Sequence, residues 1–127
     1  MFGSVGDKAL DGKRVLVVED ESMLAHDLMH ELGALGATVV GPCGTVTKAL
    51  HALDACVSID IAVLDISLRE RFVYDVADRL TDQGVPIVFA TGFDASVIPE
   101  RYRAVPRCEK PAPFGAVSAL VAKILAA

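Results

Sequence analysis

Residues 61–64 form an unbroken apolar run that ends at the carboxylate of Asp65. A strand with one face in water alternates apolar and polar residues, so a continuous run predicts a strand buried on both faces. Helices on both sides of a parallel sheet bury strands in this way. Because a buried, unpaired carboxylate is costly, we expect Asp65 at the carboxyl end of the strand, in the crevice where open α/β sheets bind ligands.

Strand and helix patterns alternate along the whole chain. The other segments with strand character are residues 14–18, 38–40, 86–90 and 107–109. Apolar spacings of three or four predict helices that begin near Ser22, Thr45 or Thr47, Val73 and Pro113. Between Thr91 and Arg107 the pattern is weak, so we expect a fourth helix that is short or irregular. The alternation predicts a doubly wound α/β fold, a (βα)5 parallel sheet with helices on both faces.

Several local details are also predicted. Ser22 is expected to cap the first helix, and Gly41-Pro42 is expected to end the second strand. Cys56 or Val57 should face inward from the second helix. The last helix is expected to bury Phe114, Val117, Leu120, Val121 and Ile124.

Composition restricts the classes of function. The 127 residues are enough for one domain, residues 13–127, after a flexible leader over residues 1–12. A net charge of −5 and the lack of a basic stripe argue against nucleic-acid binding. No apolar run reaches membrane-spanning length, so we expect a cytoplasmic protein. Cys43, Cys56 and Cys108 lack metal-ligand spacing and are expected to be small apolar fillers.

Polar residues follow four of the five predicted strands. They are Glu19 and Asp20 after the first strand, Asp65 after the third, Thr91 after the fourth and Lys110 after the fifth. Parallel strands bring these ends to one edge of the sheet. Each like-charged pair of carboxylates at ~4 Å costs about 4 kcal/mol at a surface-like dielectric. A hard divalent cation would relieve that repulsion, and Mg²⁺ accepts carboxylates, waters and phosphate oxygens.

These residue types suit phosphoryl transfer, in which positioning and charge neutralisation supply most of the catalysis. The ionised carboxylate of Asp65 can act as the nucleophile and form an acyl phosphate. Lys110 can pair with one phosphoryl oxygen, and the Thr91 hydroxyl can donate to another.

At these residues the sequence resembles the receiver domain of two-component response regulators. The resemblance covers nearly the whole chain and is carried by residues 15–21, residues 62–65, Thr91 after an apolar strand, and Lys110-Pro111. Residues 89–93, Phe-Ala-Thr-Gly-Phe, are similar to the FATGUY subgroup of single-domain regulators.

The resemblance implies a flavodoxin-like sheet of order 2-1-3-4-5 and a cis peptide bond before Pro111. It implies Mg²⁺ on Glu19, Asp20, Asp65 and the backbone carbonyl of Ser67. Asp65 would then receive phosphate from a histidine kinase of the HWE or a related class, in stress signalling. Downstream partners would be a protein target or a phosphotransfer protein, and phosphorylation could promote a dimer.

Several features depart from the receiver pattern, among them the acid pair Glu19-Asp20 in place of the commoner Asp-Asp and the residue at position 107. Arg107 stands where most receivers carry a Tyr or Phe that is coupled to the threonine at the Thr91 position. Thr91 and Arg107 are therefore the candidate switch residues, with Arg107 in the place of the aromatic.

Other readings of the same residues stay open. Taken singly, Glu19-Asp20 could cap a helix, the Thr91 hydroxyl could hydrogen-bond the free backbone groups at a strand end, and Lys110 could be an ordinary solvated side chain. Jointly they favour a signalling switch that is not a turnover enzyme. A second reading is an interaction module that is never phosphorylated, and a third is a small Mg²⁺-dependent phosphatase. His26, His30 and His51 are expected on solvated helix faces.

Overall fold

The computed structural model describes residues 9–55, 58–69 and 71–127. Cys56, Val57, Glu70 and the first eight residues of the predicted leader lie outside the described residues. The strands are β1 Arg14–Val18, β2 Thr38–Cys43, β3 Ile61–Leu64, β4 Ile87–Thr91 and β5 Arg107–Glu109. The helices are α1 Ser22–Ala34, α2 Val46–Asp54, α3 Tyr74–Asp82 and α4 Ala116–Ala126.

The five strands form one parallel sheet in the order β2-β1-β3-β4-β5. Every residue of β3 and β4 is buried, and so is every residue of β1 except Arg14. The continuous apolar runs therefore lie in the three central strands, where helices cover both faces. The predicted flavodoxin-like doubly wound fold and its strand order are confirmed.

Two apolar cores flank the sheet, because successive strand residues point to opposite faces. Leu16, Leu64 and Phe89 pack with buried residues of α2 and α3 on one face. Val15, Val17, Val63 and Val88 pack with α1 and α4 on the other. None of the helices in the described part of the chain has the length and apolarity needed to cross a bilayer.

The connection between β4 and β5 contains two short 3-10 turns, Ala95–Val97 and Glu100–Tyr102. This agrees with the short or irregular fourth helix predicted from the weak pattern and from Pro99. The side chain of Asp94 accepts the Ser96 N–H and caps the first turn. Each turn is three residues long, so this connection covers the sheet with far less regular structure than α3 does.

The prediction that Gly41-Pro42 would end the second strand is wrong. β2 continues to Cys43 with a shift of register against β1, in which Val40 pairs with Leu16 and Cys43 with Val18. Gly41, with φ +103°, takes part in this bulge, and a side chain there would meet backbone atoms within 3 Å. Proline is tolerated because β2 is an edge strand, where a missing N–H need not break the ladder.

Two predictions at helix ends are also wrong. Ser22 is the first residue of α1, and Glu21 is the N-cap, because the Glu21 N–H is held by the Glu19 carboxylate and Glu21 remains extended. Phe114 is 69% exposed, since α4 begins only at Ala116, after Gly115 at φ +92°. Val117 and Val121 are buried as expected.

Candidate active site

The ends of β1 and β3 bring three carboxylates together. The strands are neighbours, with Val18 opposite Leu64, and the Asp65 N–H donates to the Val18 carbonyl at 2.9 Å. Glu19, Asp20 and Asp65 each place a carboxylate oxygen within 4.8 Å of the other two. Glu19 and Asp65 are buried, at 3% and 6% exposure, and Asp20 is half-buried.

Lys110 reaches this cluster from the far side of β4. Its Nζ donates to Glu19 Oε1 at 2.7 Å and to Asp65 Oδ2 at 3.1 Å. At its backbone, the Lys110 N–H donates to the Thr91 carbonyl at 2.9 Å. One ammonium therefore bridges carboxylates that follow two different strands.

Burial and pairing act against each other on the ionisation of this cluster. Burial raises the pKa of the Glu19 carboxyl, and the hydrogen bond from Lys110 only partly opposes it. Burial alone would lower the pKa of Lys110, but the hydrogen bond to Glu19 and the charge of Asp65 outweigh it and raise the pKa. Lys110 is therefore charged at neutral pH and pairs with Glu19 and Asp65. The third carboxylate, that of Asp20, lies 3.8 Å from the exposed guanidinium of Arg69.

The donor set fits a hard divalent cation. Oxygen ligands without His or Cys are those of Mg²⁺, Ca²⁺ or Mn²⁺, and three converging carboxylates are otherwise unfavourable. The loop after Asp65 restrains two of them: the Ser67 N–H donates to Asp65 Oδ1 at 3.3 Å, and the Arg69 N–H donates to Asp20 Oδ2 at 3.0 Å. The role of the Ser67 carbonyl as a ligand stays a prediction.

Thr91 and Arg107, the two candidate switch residues, lie at opposite ends of the β4–β5 pair. Thr91 ends β4 opposite Glu109, is 1% exposed, and its hydroxyl accepts the Phe93 N–H at 3.0 Å. Arg107 begins β5 opposite Phe89, two residues or about 7 Å upstream along the strand. Among the described residues, Arg107 makes no hydrogen bond or ion pair with the three carboxylates. Its role in switching stays a prediction.

A row of aromatic rings extends from Thr91 across the β4–β5 connection. Phe93 contacts Phe72 edge to face at 5.9 Å between centroids, and Phe72 lies 5.7 Å from Tyr74. Tyr74 stacks on Tyr102 at 5.7 Å, and Tyr102 packs edge to face on Phe89 at the same distance. The Tyr102 hydroxyl donates to Asp78 on α3, which also pairs with Arg101. The hydrogen bond between Tyr102 and Asp78 was not predicted from the sequence.

The two tyrosines of the chain should ionise only above the usual tyrosine pKa. Burial, helped by the hydrogen bond to Asp78, raises the pKa of Tyr102 to about 12, and burial also raises the pKa of Tyr74. A raised pKa means that the stability contributed by neutral Tyr102 is complete below pH ~10 and lost as pH rises through ~12. An ultraviolet titration should show no tyrosine with an ordinary midpoint. Asp78→Asn should lower the titration midpoint of Tyr102, the higher of the two. An unchanged Tyr102 midpoint would contradict the contribution of Asp78.

Sequence reasoning missed a buried carboxylate on α1. Glu31 is 6% exposed and accepts backbone N–H groups from Gly115 and Ser118 at the start of α4. Its position three residues after Leu28 places it on the core face, and this spacing was the signal available in the sequence. The histidines, in contrast, are all exposed as expected. Of the cysteines, Cys43 is buried, Cys108 is half-buried and both are free.

Comparison with known proteins finds relatives over most of the chain, although no family model matches it. Transcriptional regulatory protein PdtaR of Mycobacterium tuberculosis is 30% identical over 92 residues, covering 72% of this chain and 44% of that protein. The chain thus spans less than half the length of this curated relative.

Solved structures match more completely. SdrG from Sphingomonas melonis Fr1 is 36% identical, with a TM-score of 0.75 over 91% of this chain and 98% of that one. The response regulator PhyR from Brucella abortus is 26% identical, with a TM-score of 0.75 over 93% of this chain and 50% of that one.

Proposed function

The chain belongs to the family of response regulator receiver domains, and on this basis we propose that it takes up a phosphoryl group on Asp65 from the phosphohistidine of a histidine kinase. The observation that carries the proposal is the bridge from Lys110 to Glu19 and Asp65, at 2.7 and 3.1 Å. This bridge joins the nucleophile Asp65 and a second acid, Glu19, to the positive charge of Lys110 at the carboxyl edge of a buried parallel sheet. The phosphoryl group would mark a signalling state or be carried to a second protein.

In the proposed transfer, a carboxylate oxygen of Asp65 forms a bond to phosphorus while the bond from phosphorus to the histidine nitrogen breaks. The imidazole leaves with the electron pair, and no base is needed because Asp65 attacks as a carboxylate. Lys110 would release Asp65 Oδ2 and pair with a phosphoryl oxygen. The Thr91 hydroxyl, which accepts from Phe93, keeps its own hydrogen to donate to another.

Mg²⁺ is the cofactor we propose. Glu19, Asp20, Asp65 and the Ser67 carbonyl would hold it, and a bound ion would neutralise charge as an anionic donor approaches an anionic nucleophile. The proposal rests on the convergence of three carboxylates, two of which accept hydrogen bonds from the Lys110 ammonium.

Mg²⁺ should therefore stabilise the fold. At a free concentration about 100 times its dissociation constant, the free energy of unfolding should rise by about 2.7 kcal/mol. Urea unfolding with Mg²⁺ and with a chelator measures the difference. Asp20→Asn, which removes one carboxylate, should reduce it, whereas Asp82→Asn at the exposed end of α3 should not. Identical unfolding midpoints with and without the ion would contradict the cation site.

The finer assignments are proposals of the same kind. The sequence of residues 89–93, Phe-Ala-Thr-Gly-Phe, supports membership of the FATGUY subgroup. We propose a kinase of the HWE or a related class as donor, a role in stress signalling, a cytoplasmic location, and no turnover of free substrates.

Incubation with candidate histidine kinases, ATP and Mg²⁺, followed by intact-mass measurement, tests the proposal. One added phosphoryl group on this chain is expected. If neither a kinase nor acetyl phosphate adds that mass, the proposal fails, and a module that binds partners without phosphorylation becomes the better reading.

A further inference from the structure

Glu31 is a buried carboxylate that no step of the proposed transfer uses. Among the described residues it has no cationic partner, and its two oxygens instead accept the Gly115 N–H at 3.1 Å and the Ser118 N–H at 2.8 Å. Both donors lie at the start of α4, where the helix dipole favours a negative charge. Such charge-assisted hydrogen bonds are the arrangement that makes a buried carboxylate tolerable.

We propose that Glu31 is a positioning residue, which fixes the loop after β5 and thereby places the Lys110 ammonium between Glu19 and Asp65. This inference rests on the proposed function. Gly115, the N-cap of α4, has no side chain to accept the first amides of its own helix. Glu31 supplies that acceptor from α1, so the start of α4 is held by a different helix.

The loop between this anchor and the site is short and stiff. Only residues 111–114 separate Lys110 from Gly115, and two of them, Pro111 and Pro113, have a fixed φ angle. A displacement of Gly115 is therefore passed to Lys110 rather than absorbed between them. Glu31 and Lys110 also line the same cavity, of about 430 Å³, between α1 and this loop.

The other anchor of Lys110 is slight. β5 has three residues, and among the described strands it pairs with β4 alone. It is therefore an edge strand that contributes few backbone hydrogen bonds. The bridge itself needs Nζ within hydrogen-bond distance of two carboxylates at once, a geometry that tolerates little displacement. Loss of the Glu31 anchor should thus disrupt the hydrogen bonds of Lys110 to Glu19 and Asp65 more than it disrupts the rest of the fold.

A double-mutant cycle tests the proposal, using Glu31→Gln, Lys110→Ala, the double variant and the parent chain. The glutamine side chain fills the same space as glutamate but offers one acceptor oxygen. The rate of Asp65 labelling by acetyl phosphate should therefore fall by roughly tenfold to a hundredfold, since a misplacement of about 1 Å can cost as much as a hundredfold in rate. In the Lys110→Ala background the same substitution should change the rate less than twofold, because its target is gone.

A second readout does not depend on phosphoryl transfer. The Lys110 ammonium repels a cation bound at the carboxylates, so Lys110→Ala should lower the Mg²⁺ dissociation constant measured by calorimetry. Glu31→Gln should shift it in the same direction, with no further shift in the double variant. Equal effects of Glu31→Gln in both backgrounds, or no effect in either, would overturn the proposal.

Thr45→Ala is the matched control. The Thr45 hydroxyl caps α2 by accepting the Lys48 N–H at 3.0 Å, so the variant loses a helix cap on the opposite face of the sheet. Thr45→Ala should lower the melting temperature while leaving the labelling rate and Mg²⁺ affinity unchanged. If Thr45→Ala changed the labelling rate and Mg²⁺ affinity as much as Glu31→Gln does, Glu31 would contribute only to the overall stability of the fold. Absence of labelling in the parent chain would defeat the proposed function, whereas the Mg²⁺ cycle would still decide the role of Glu31.

Discussion

Replacing Asp65 with asparagine is expected to abolish uptake of a phosphoryl group. The amide is neutral and a poor nucleophile, whereas the native carboxylate attacks without a base. Intact-mass measurement after incubation with acetyl phosphate and Mg²⁺ should show one added phosphoryl group on the parent chain and none on Asp65→Asn. The variant should stay folded, because the substitution removes one of three mutually repelling carboxylates.

The control for this experiment is Asp82→Asn, which changes an exposed aspartate at the end of α3. It should take up phosphate at the same rate as the parent chain. Equal labelling of Asp65→Asn and the parent would place the acceptor elsewhere and contradict the proposed function.

Phe89→Ala is expected to cause the largest loss of stability, about 3–5 kcal/mol in the free energy of unfolding. Phe89 is fully buried in the middle of β4, and its ring packs edge to face on Tyr102. Truncation removes the buried ring and leaves a cavity under the β4–β5 connection. Since domains are stable by only about 5–15 kcal/mol, urea unfolding should show a large shift of the midpoint.

Phe114→Ala makes the same chemical change at a side chain that is 69% exposed. Its effect should stay within about 0.5 kcal/mol, because little area is withdrawn from water there. A loss for Phe114→Ala comparable with that for Phe89→Ala would mean that Phe114 is covered, as the sequence pattern had predicted.

The sequence was sufficient for those parts of the fold that depend on burial of whole elements. A strand buried on both faces must be continuously apolar, so residues 61–64 and 87–90 could be recognised without knowing their neighbours. Parallel strands end at one edge of the sheet, so the approach of Glu19, Asp65 and Lys110 followed from topology alone. Strand order came from the resemblance to receiver domains, since alternation does not fix it.

The sequence was insufficient where a local choice depends on contacts distant along the chain. Periodicity placed Phe114 on the last helix, but Gly115 adopts a left-handed conformation and the helix starts after it. The spacing of Glu31 from Leu28 indicated that it faces the core, but its partners are backbone amides 84 and 87 residues away, which the sequence does not reveal. Gly41 was predicted to end the second strand, but a glycine can also form a bulge in an edge strand, which is its role here.

The three-residue length of β5 has a consequence for the order in which the molecule loses its properties. Short peripheral strands fray at a free energy below that of global unfolding. Fraying of β5 would withdraw Lys110 while β1 and β3 keep their acids in place, so the chain would still look native by circular dichroism. The backbone amide hydrogens of Cys108 and Glu109 should therefore exchange with solvent faster than those of Val17 and Val63. The rate of phosphorylation by a phosphodonor should follow the fraction of molecules in which the β5 amides are protected from exchange.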